Sequence, residues 1–371
     1  MNDTLRNFAS WLAESDRKAE RWVADFLDLD GRELHEALER HQELQPGITR
    51  GLLWRVREAS PRDPARAAEV AGVLAGQDGF HLPLHHASLA ASLKMNTSLA
   101  HARALRDLGR FAEAHDAIGA AYDACRHLVF AAAQQSAMIG VVEAEVLHGL
   151  GDHAEALRVV RDAAASLRSW PGEDYAEATA VEARIHRDLG APEAVAAVWR
   201  AALDHTFRKD LRDLAILSRH HGTFFLRCGD AKKAAICFEN ARLCSPPGTR
   251  ARWGEAQAWF ASGNWRKAIV HYRMVQRELL AQNQLIDAAI ATTELLDVLL
   301  LSGRHESLSR AAETLVPTFA REGLPIHALR AWIFVRERAR ECVLTRQEVE
   351  QVRRYFERLE LRPGAVFKGG N

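Results

Sequence analysis

The sequence predicts an all-α fold, a solenoid built from antiparallel helical hairpins. Three observations carry that reading. A turn of the form Gly-x-x-x-x-Ala recurs at Gly109, Gly151, Gly229 and Gly263, with degenerate copies at Gly190 and Gly303, at intervals of 42, 39, 39, 34 and 40 residues. A supersecondary unit repeated at a near-constant interval buries its apolar face by stacking on its neighbours. Positions 5, 9 and 12 after each glycine are small, large and small, a spacing that puts them on one face of a helix. Composition agrees, since 48% hydrophobic residues and 11 prolines in 371 residues suit one continuous helical array whose core grows along its length.

Within a repeat, the glycine ends the first helix without a Cβ penalty and the following residues start the second. Five residues on stands Ala114, Ala156, Ala234 or Ala268, where two helices approach closely. Nine on stands Ile118, Val160, Trp199, Phe238 or Tyr272, and twelve on Ala121, Ala163, Ala202 or Ala241. On the first helix, Leu105, Leu147, Phe225, Trp259 and Leu299 fall four before the glycine and point at the same seam.

This pattern resembles the tetratricopeptide repeat over roughly residues 90–320. The likeness is carried by Gly109/Phe111/Ala114, by Gly263/Trp265/Ala268/Tyr272, and by Gly229/Ala234/Phe238/Ala241 with Pro246. It departs from the family in its longer intervals, in the eroded copies at Gly190 and Gly303, and in the glycine usual inside the first helix, read only at Gly222. The longer intervals resemble those of bacterial regulatory members, and the alanine and arginine bias is bacterial in style. The resemblance implies a right-handed superhelix whose first helices line a concave groove.

The flanks read as further helical hairpins. Leu5, Phe8, Trp11 and Leu12 mark one amphipathic helix, and Trp22, Val23, Phe26 and Leu27 a second that stops near Asp30-Gly31. A helix over Leu34–Leu44 follows; Pro46-Gly47 breaks the chain, Leu52, Leu53 and Val56 resume the pattern, and Ser60–Pro64 forms a turn with proline at a helix start. The irregular stretch from Gln77 to Pro83 is the expected hinge. Near the other end Ile326–Ala339 is in helical phase, and Thr345–Glu348 has capping-box form, opening a final helix to about Leu359. The expected organisation is an N-terminal helical subdomain or capping hairpins over 1–80, repeats over 81–324, a capping helix pair over 325–362 and a frayed tail over 363–371.

Charge excludes little but points away from some partners. Lysine plus arginine and aspartate plus glutamate both number 49, so no global field favours nucleic acid or an acidic membrane. No basic segment followed by an apolar stretch opens the chain, and no apolar run approaches a membrane span. Five cysteines, Cys125, Cys228, Cys237, Cys244 and Cys342, include no CxxC pair, as expected of buried thiols in a reducing cytoplasm. The location expected is therefore cytoplasmic.

Catalytic signals are absent: the sequence contains no HExxH, GxGxxG, P-loop or GxSxG. His81 and His85 are separated by Pro83, and the adjacent His220 and His221 point about 100° apart on a helix, so neither pair makes a helical metal site. No cofactor and no metal are expected, and the chain reads as a non-enzyme.

If family geometry holds, residues six and three before the turn glycine project into the groove. These are Arg103 and Arg106, Glu145 and His148, Arg184 and Arg187, Thr223 and Leu226, Gln257 and Phe260, Asp297 and Leu300; Arg219 and Trp253, ten before, lie along the same surface. Arginine offers a planar fork for carboxylates and tryptophan a large anchor, a combination suited to a peptide with acidic and apolar parts. The plainer reading stands beside it. Only seven of the cations are lysines, so arginine at any offset is unsurprising, and Glu182 with Arg187 or Glu177 with Arg184 are spaced to pair. Trp259 and Trp265 occupy seam positions, leaving Trp253 as the spare one.

The expected function is a protein- or peptide-binding scaffold or adaptor using the groove. The alternative is a peptide-sensing bacterial regulator whose superhelix changes shape on ligand binding and alters a partner interaction. No basic recognition helix occurs in residues 1–90, which are acidic to mixed around Asp25–Asp30, so the expected output is onto protein rather than DNA. An enzyme with chemistry at Glu145 and His148 is the third class. A homodimer through one end is left open by Trp11, Trp22 and Trp332, which stand among charged residues of the terminal helices.

Overall fold

The computed structural model describes residues 3–77, 87–128, 132–170, 172–207, 210–245 and 248–368. Among these every regular element is a helix. The expectations at Leu5, Phe8, His81, Pro83, His85, Pro246 and most of the hinge lie outside the described side chains. The chain divides into two compact units: Met1–Trp170 with Glu360–Pro363, and Pro171–Leu359 with Gly364–Asn371.

In the first unit, α1 (Asp3–Leu27), α2 (Gly31–Arg40), α3 (Gln45–Ala59) and α4 (Pro64–Ala75) precede two hairpins, α5 (Ala87–Asp107) with α6 (Phe111–Cys125) and α7 (Ala132–Gly149) with α8 (His153–Leu167). The two helices expected at the N-terminus are one, α1, because nothing between Leu12 and Trp22 is a glycine or proline and most of that stretch favours helix. Pro46, expected as a break, stands instead in the first turn of α3, where its missing N–H is no loss. α2 opens on a capping box in which the Glu33 N–H donates to Asp30 Oδ1 at 2.8 Å and the Asp30 N–H to Glu33 Oε2 at 3.1 Å. Asp63 caps α4 by accepting from the Arg66 N–H at 3.2 Å. Leu34, Leu38, Ile48, Leu52 and Leu74 make a fully buried core that continues into Leu99, Ile118 and Ile139 of the hairpins. Leu361 enters the same core, flanked by the ion pairs Arg62–Glu360 at 3.0 Å and Arg362–Asp63 at 3.5 Å.

The second unit holds α9 (Glu173–Asp188), α10 (Pro192–Phe207), α11 (Leu211–Arg227), α12 (Ala231–Cys244), α13 (Thr249–Ala261), α14 (Trp265–Ala281), α15 (Leu285–Leu301), α16 (His305–Arg321), α17 (Ile326–Arg340) and α18 (Arg346–Leu359). Here α9 packs on α11 and α11 on α13, so the first helices form one layer, as α5 and α7 do in the first unit. The second helices form the other layer, each seated against its own partner and the first helix that follows. α18 departs from this progression: it packs mainly on α15 and only slightly on α17. Its N-terminus has the expected capping box, with the Thr345 N–H donating to Glu348 Oε2 at 2.8 Å and the Glu348 N–H to Thr345 Oγ1 at 3.2 Å.

The turn chemistry is uniform. All six repeat glycines have left-handed backbone, with φ between 66° and 89°. At Gly229 the Asp230 N–H reaches back to Phe225 O at 2.9 Å and the Gly229 N–H to Leu226 O at 3.1 Å, satisfying carbonyls the helix end would otherwise orphan. A Cβ on Gly229 would touch nothing within 4 Å, so the requirement is conformational rather than steric. The same turn occurs without glycine at Asn283 (φ 57°) and Cys342 (φ 58°), which is why no repeat signal marks the α14–α15 and α17–α18 connections.

The second-helix seam positions match the spacing, whereas of the residues four before the glycine Leu105 and Leu299 are buried and Leu147, Phe225 and Trp259 only half-buried. Ala114, Ala156, Ala234 and Ala268 are fully buried, and Ile118, Val160, Trp199, Phe238 and Tyr272 are no more than 3% exposed. Close approach by an interior glycine is not confined to Gly222. A Cβ on Gly222 would lie 2.9 Å from the Phe238 ring, and one on Gly254 only 2.3 Å from it, so the ring is wedged between α11 and α13.

Three further expectations change. Trp332 is fully buried, stacked on Phe319 at 5.2 Å and against Phe356 at 4.9 Å, so it is core and not a surface anchor. The described part of the tail is docked, with the Tyr355 hydroxyl donating to Ala365 O at 3.0 Å and Phe367 packed against Tyr355 and Phe334. Of the cysteines only Cys125 is buried; Cys228 and Cys342 are exposed at turns, because the residue before or at a turn glycine position faces outward.

Candidate ligand-binding face of the first helices

The residues chosen by their offset from the turn glycine share one environment. Arg103, Arg106, Glu145, His148, Arg184, Arg187, Thr223, Leu226, Gln257, Phe260, Asp297 and Leu300 are all half-buried, and so are Arg219 and Trp253. An amphipathic helix sandwiched by neighbours on both sides produces this result for positions that look along the layer rather than into the seam.

In the first unit, Arg106 on α5 reaches across to Glu145 on α7 and also holds Asp107 Oδ1 through Nη2 at 2.7 Å and Nε at 3.0 Å. Arg103 lies one turn earlier on α5. His148 Nδ1 is 2.9 Å from Nδ1 of His153, the first residue of α8, so one ring donates and the other accepts.

In the second unit, Arg187 binds Asp188 Oδ1 through Nε at 2.7 Å and directs Nη1 at Cys228 Sγ, 3.7 Å away, while Arg184 occupies the preceding turn of α9. Arg219 on α11 donates through Nη2 to Glu173 Oε1 at 2.7 Å, and His220 Nε2 lies 2.8 Å from the same oxygen. Burial acts to raise the Glu173 carboxyl, but the His220 hydrogen bond and the Arg219 charge outweigh it and hold the group at about 2. Thr223 spends its hydroxyl on its own helix, donating to Arg219 O at 3.1 Å.

The α13–α15 junction is built around a residue the offsets do not select. Trp253 Nε1 donates to Glu294 Oε2 at 2.6 Å and Gln257 Nε2 to Glu294 Oε1 at 3.1 Å. Burial pushes the Glu294 carboxyl up, against the opposing pull of those donors, Arg353 and Tyr272. Trp253 is therefore not spare: its ring packs on the core of the unit and its N–H is committed. Asp297 is likewise held by a bidentate fork from Arg346 of α18, Nη2 to Oδ2 at 2.9 Å. Glu173 opens α9 beside Gly172, and Glu294 stands nine before Gly303; an offset of nine or ten, the row of Arg219 and Trp253, is the signal that finds the second of these.

Each unit by itself supplies fixed carboxylates and guanidinium groups along its first-helix layer, and the second adds aromatic edges. Among the described residues no group of three or more histidine, cysteine, aspartate or glutamate side chains is placed to hold a metal ion. Among them, too, no helix is long and apolar enough to cross a membrane.

No family model matches the chain, and no curated protein matches it. Solved structures are similar to it. A Rap protein complexed with competence and sporulation factor is 13% identical, with 93% of this chain and 99% of that one covered at a TM-score of 0.40. The Rap conjugation gene regulator of the plasmid pLS20 in complex with the Phr* peptide is 12% identical over 87% and 96% of the two chains, at 0.41. The apo form of the quorum sensor NprR from B. thuringiensis is 13% identical over 97% and 98%, at 0.36. By its own turn glycines, seams and layered first helices, the chain is a tetratricopeptide-like all-α array of helical hairpins.

Proposed function

We propose that this protein is a non-catalytic scaffold that binds another protein or a peptide segment along the first-helix faces of its hairpins, each unit presenting its own. The observation that carries the reading is that every position selected by the groove offset is half-buried and that such positions meet across hairpins, as Arg106 does with Glu145. A row of this kind offers an extended chain many shallow contacts with charged and aromatic groups, a mode suited to peptide recognition. Because Arg106, Arg187 and Arg219 already hold Glu145, Asp188 and Glu173, an acidic ligand would exchange partners rather than fill bare charges.

That exchange favours a second reading, a regulator whose hairpins shift when ligand binds. Glu173 ties α11 to α9 and Glu294 ties α15 to α13, so a ligand that takes over Arg219 or Trp253 releases a connection between successive first helices.

The test is a photo-cross-linking amino acid at Thr223, on the first-helix face, beside the same residue at the exposed Ala197 on α10. In the native host, a discrete protein or peptide adduct at position 223 alone is expected. Adducts at neither position, or equally at both, would count against the proposal.

A further inference from the structure

The outer layer of the second unit carries a surface unlike the rest of the chain. On α12 the exposed side chains are Lys232, Lys233, Ile236, Glu239, Asn240 and Leu243. On α14 they are Arg266, Lys267, Val270, Arg273, Met274, Arg277 and the terminal Ala281. Both helices are second helices of successive hairpins and both pack on α13, and their exposed stripes are the parts of α12 and α14 that no neighbouring helix covers.

Two properties coincide there. The first is charge: the stripes hold six cations and one carboxylate, Glu239, in a protein whose acids and bases balance at 49 each. Among the described residues Lys232, Arg266, Arg273 and Arg277 form no ion pair. The flanking second helices are mixed, with Glu193, Arg200 and Asp204 exposed on α10 and Glu306 and Arg310 on α16, so the basic character is local. The second property is apolar exposure: Ile236 is 58%, Leu243 63%, Val270 56% and Met274 40% open to solvent. Ile236 and Leu243 are seven apart and Val270 and Met274 four apart, each pair on one helical face. Side chains this large are left exposed together at a cost unless something covers them.

We propose that the outer face of α12 and α14 is a docking surface for an acidic amphipathic helix of another protein. Its apolar side would cover Ile236, Leu243, Val270 and Met274, and its carboxylates would pair with Lys232, Arg266, Arg273 and Arg277. The charge complementarity selects an acidic partner. The aliphatic residues between the cations select a helix face over nucleic acid: a single strand would call for stacking rings, and no aromatic side chain is exposed on either stripe, while a duplex would leave the four aliphatic side chains uncovered. A second copy of this chain fits less well, because its acidic stretch on α2 exposes Glu33, Glu36 and Glu39 while the apolar residues among them, Leu34, Ala37 and Leu38, are buried in its own core. This surface is separate from the first-helix face and does not depend on that face binding anything.

The test uses the full chain and a synthetic helical peptide of about 18 residues with leucine on one face and glutamate on the other. Binding is read by fluorescence anisotropy and located by hydrogen exchange. The expected result is saturable binding with protection confined to α12 and α14, weakened roughly tenfold by Arg273→Glu/Arg277→Glu and by Val270→Ser/Met274→Ser, each with unchanged thermal unfolding. Replacing the peptide's glutamates by glutamine should weaken it comparably. The proposal fails if both variants bind as the wild type does, or if protection falls on the first helices. It also fails if the peptide is ignored while phosphatidylcholine/phosphatidylserine vesicles or oligo-dT bind this face, or if sedimentation shows the face occupied by a second copy.

Discussion

The indole N–H of Trp253 donates to Glu294 Oε2 at 2.6 Å, joining α13 to α15 through a carboxylate that burial holds above its ordinary range. Gln257 shares the same carboxylate, so one acidic residue organises two members of the first-helix face. Removing it leaves half-buried donors without an acceptor. Glu294→Ala should destabilise the second unit by about 2–4 kcal/mol in urea unfolding. Glu294→Gln, which keeps one acceptor oxygen, should lose about half as much, with a shift in tryptophan emission in both variants.

The turn positions make a graded series. Gly229→Ala should cost about 1–2 kcal/mol although the added methyl touches nothing, because the penalty is in the backbone. Cys342→Gly should stabilise by up to about 1 kcal/mol, and Asn283→Gly by less, since asparagine tolerates left-handed backbone better than cysteine. Equal effects at all three sites would show that φ is not what these turns demand.

Phe238 gives a steric counterpart. Gly254→Ala forces the ring to move, at about 1–3 kcal/mol, and the effect should shrink when combined with Phe238→Leu. Additive losses in the double variant would separate the glycine from the ring.

His221 stacks on Trp199 at 4.1 Å with 17° between the rings, and burial lowers its pKa to about 4. Above pH 6.5 it is neutral folded or unfolded. As pH falls from 6.5 towards 4 the unfolded chain takes up a proton that the folded chain refuses, so stability drops across that window. His221→Phe should flatten this part of the profile by something on the order of 2 kcal/mol, the histidine being partly solvated. Glu173 acts in a lower window: its stabilisation is present above about pH 4.5 and is lost towards about 2.

What the sequence made legible was local and repeated. A glycine followed by small, large and small residues is a statement about one hairpin, and each such residue is buried as the spacing requires. The two turns at Asn283 and Cys342 have the same geometry without the letter that marks it. The return of α18 to α15 and the Arg346–Asp297 fork join residues 49 apart, a choice of packing partner that helical periodicity does not encode. The offset picked out positions that share half-burial. The pairings among those positions were not legible, because Glu173 and Glu294 act on helices other than their own.

The most direct test of the binding role is an affinity pull-down from the native host with wild-type protein beside Arg184→Glu/Arg187→Glu, with thermal unfolding of both measured in parallel. A specific protein or peptide retained by the wild type and lost from the variant, at a temperature where the unfolding curves show both folded, is the expected result. The same partners retained in equal amount by both proteins would contradict a first-helix binding face.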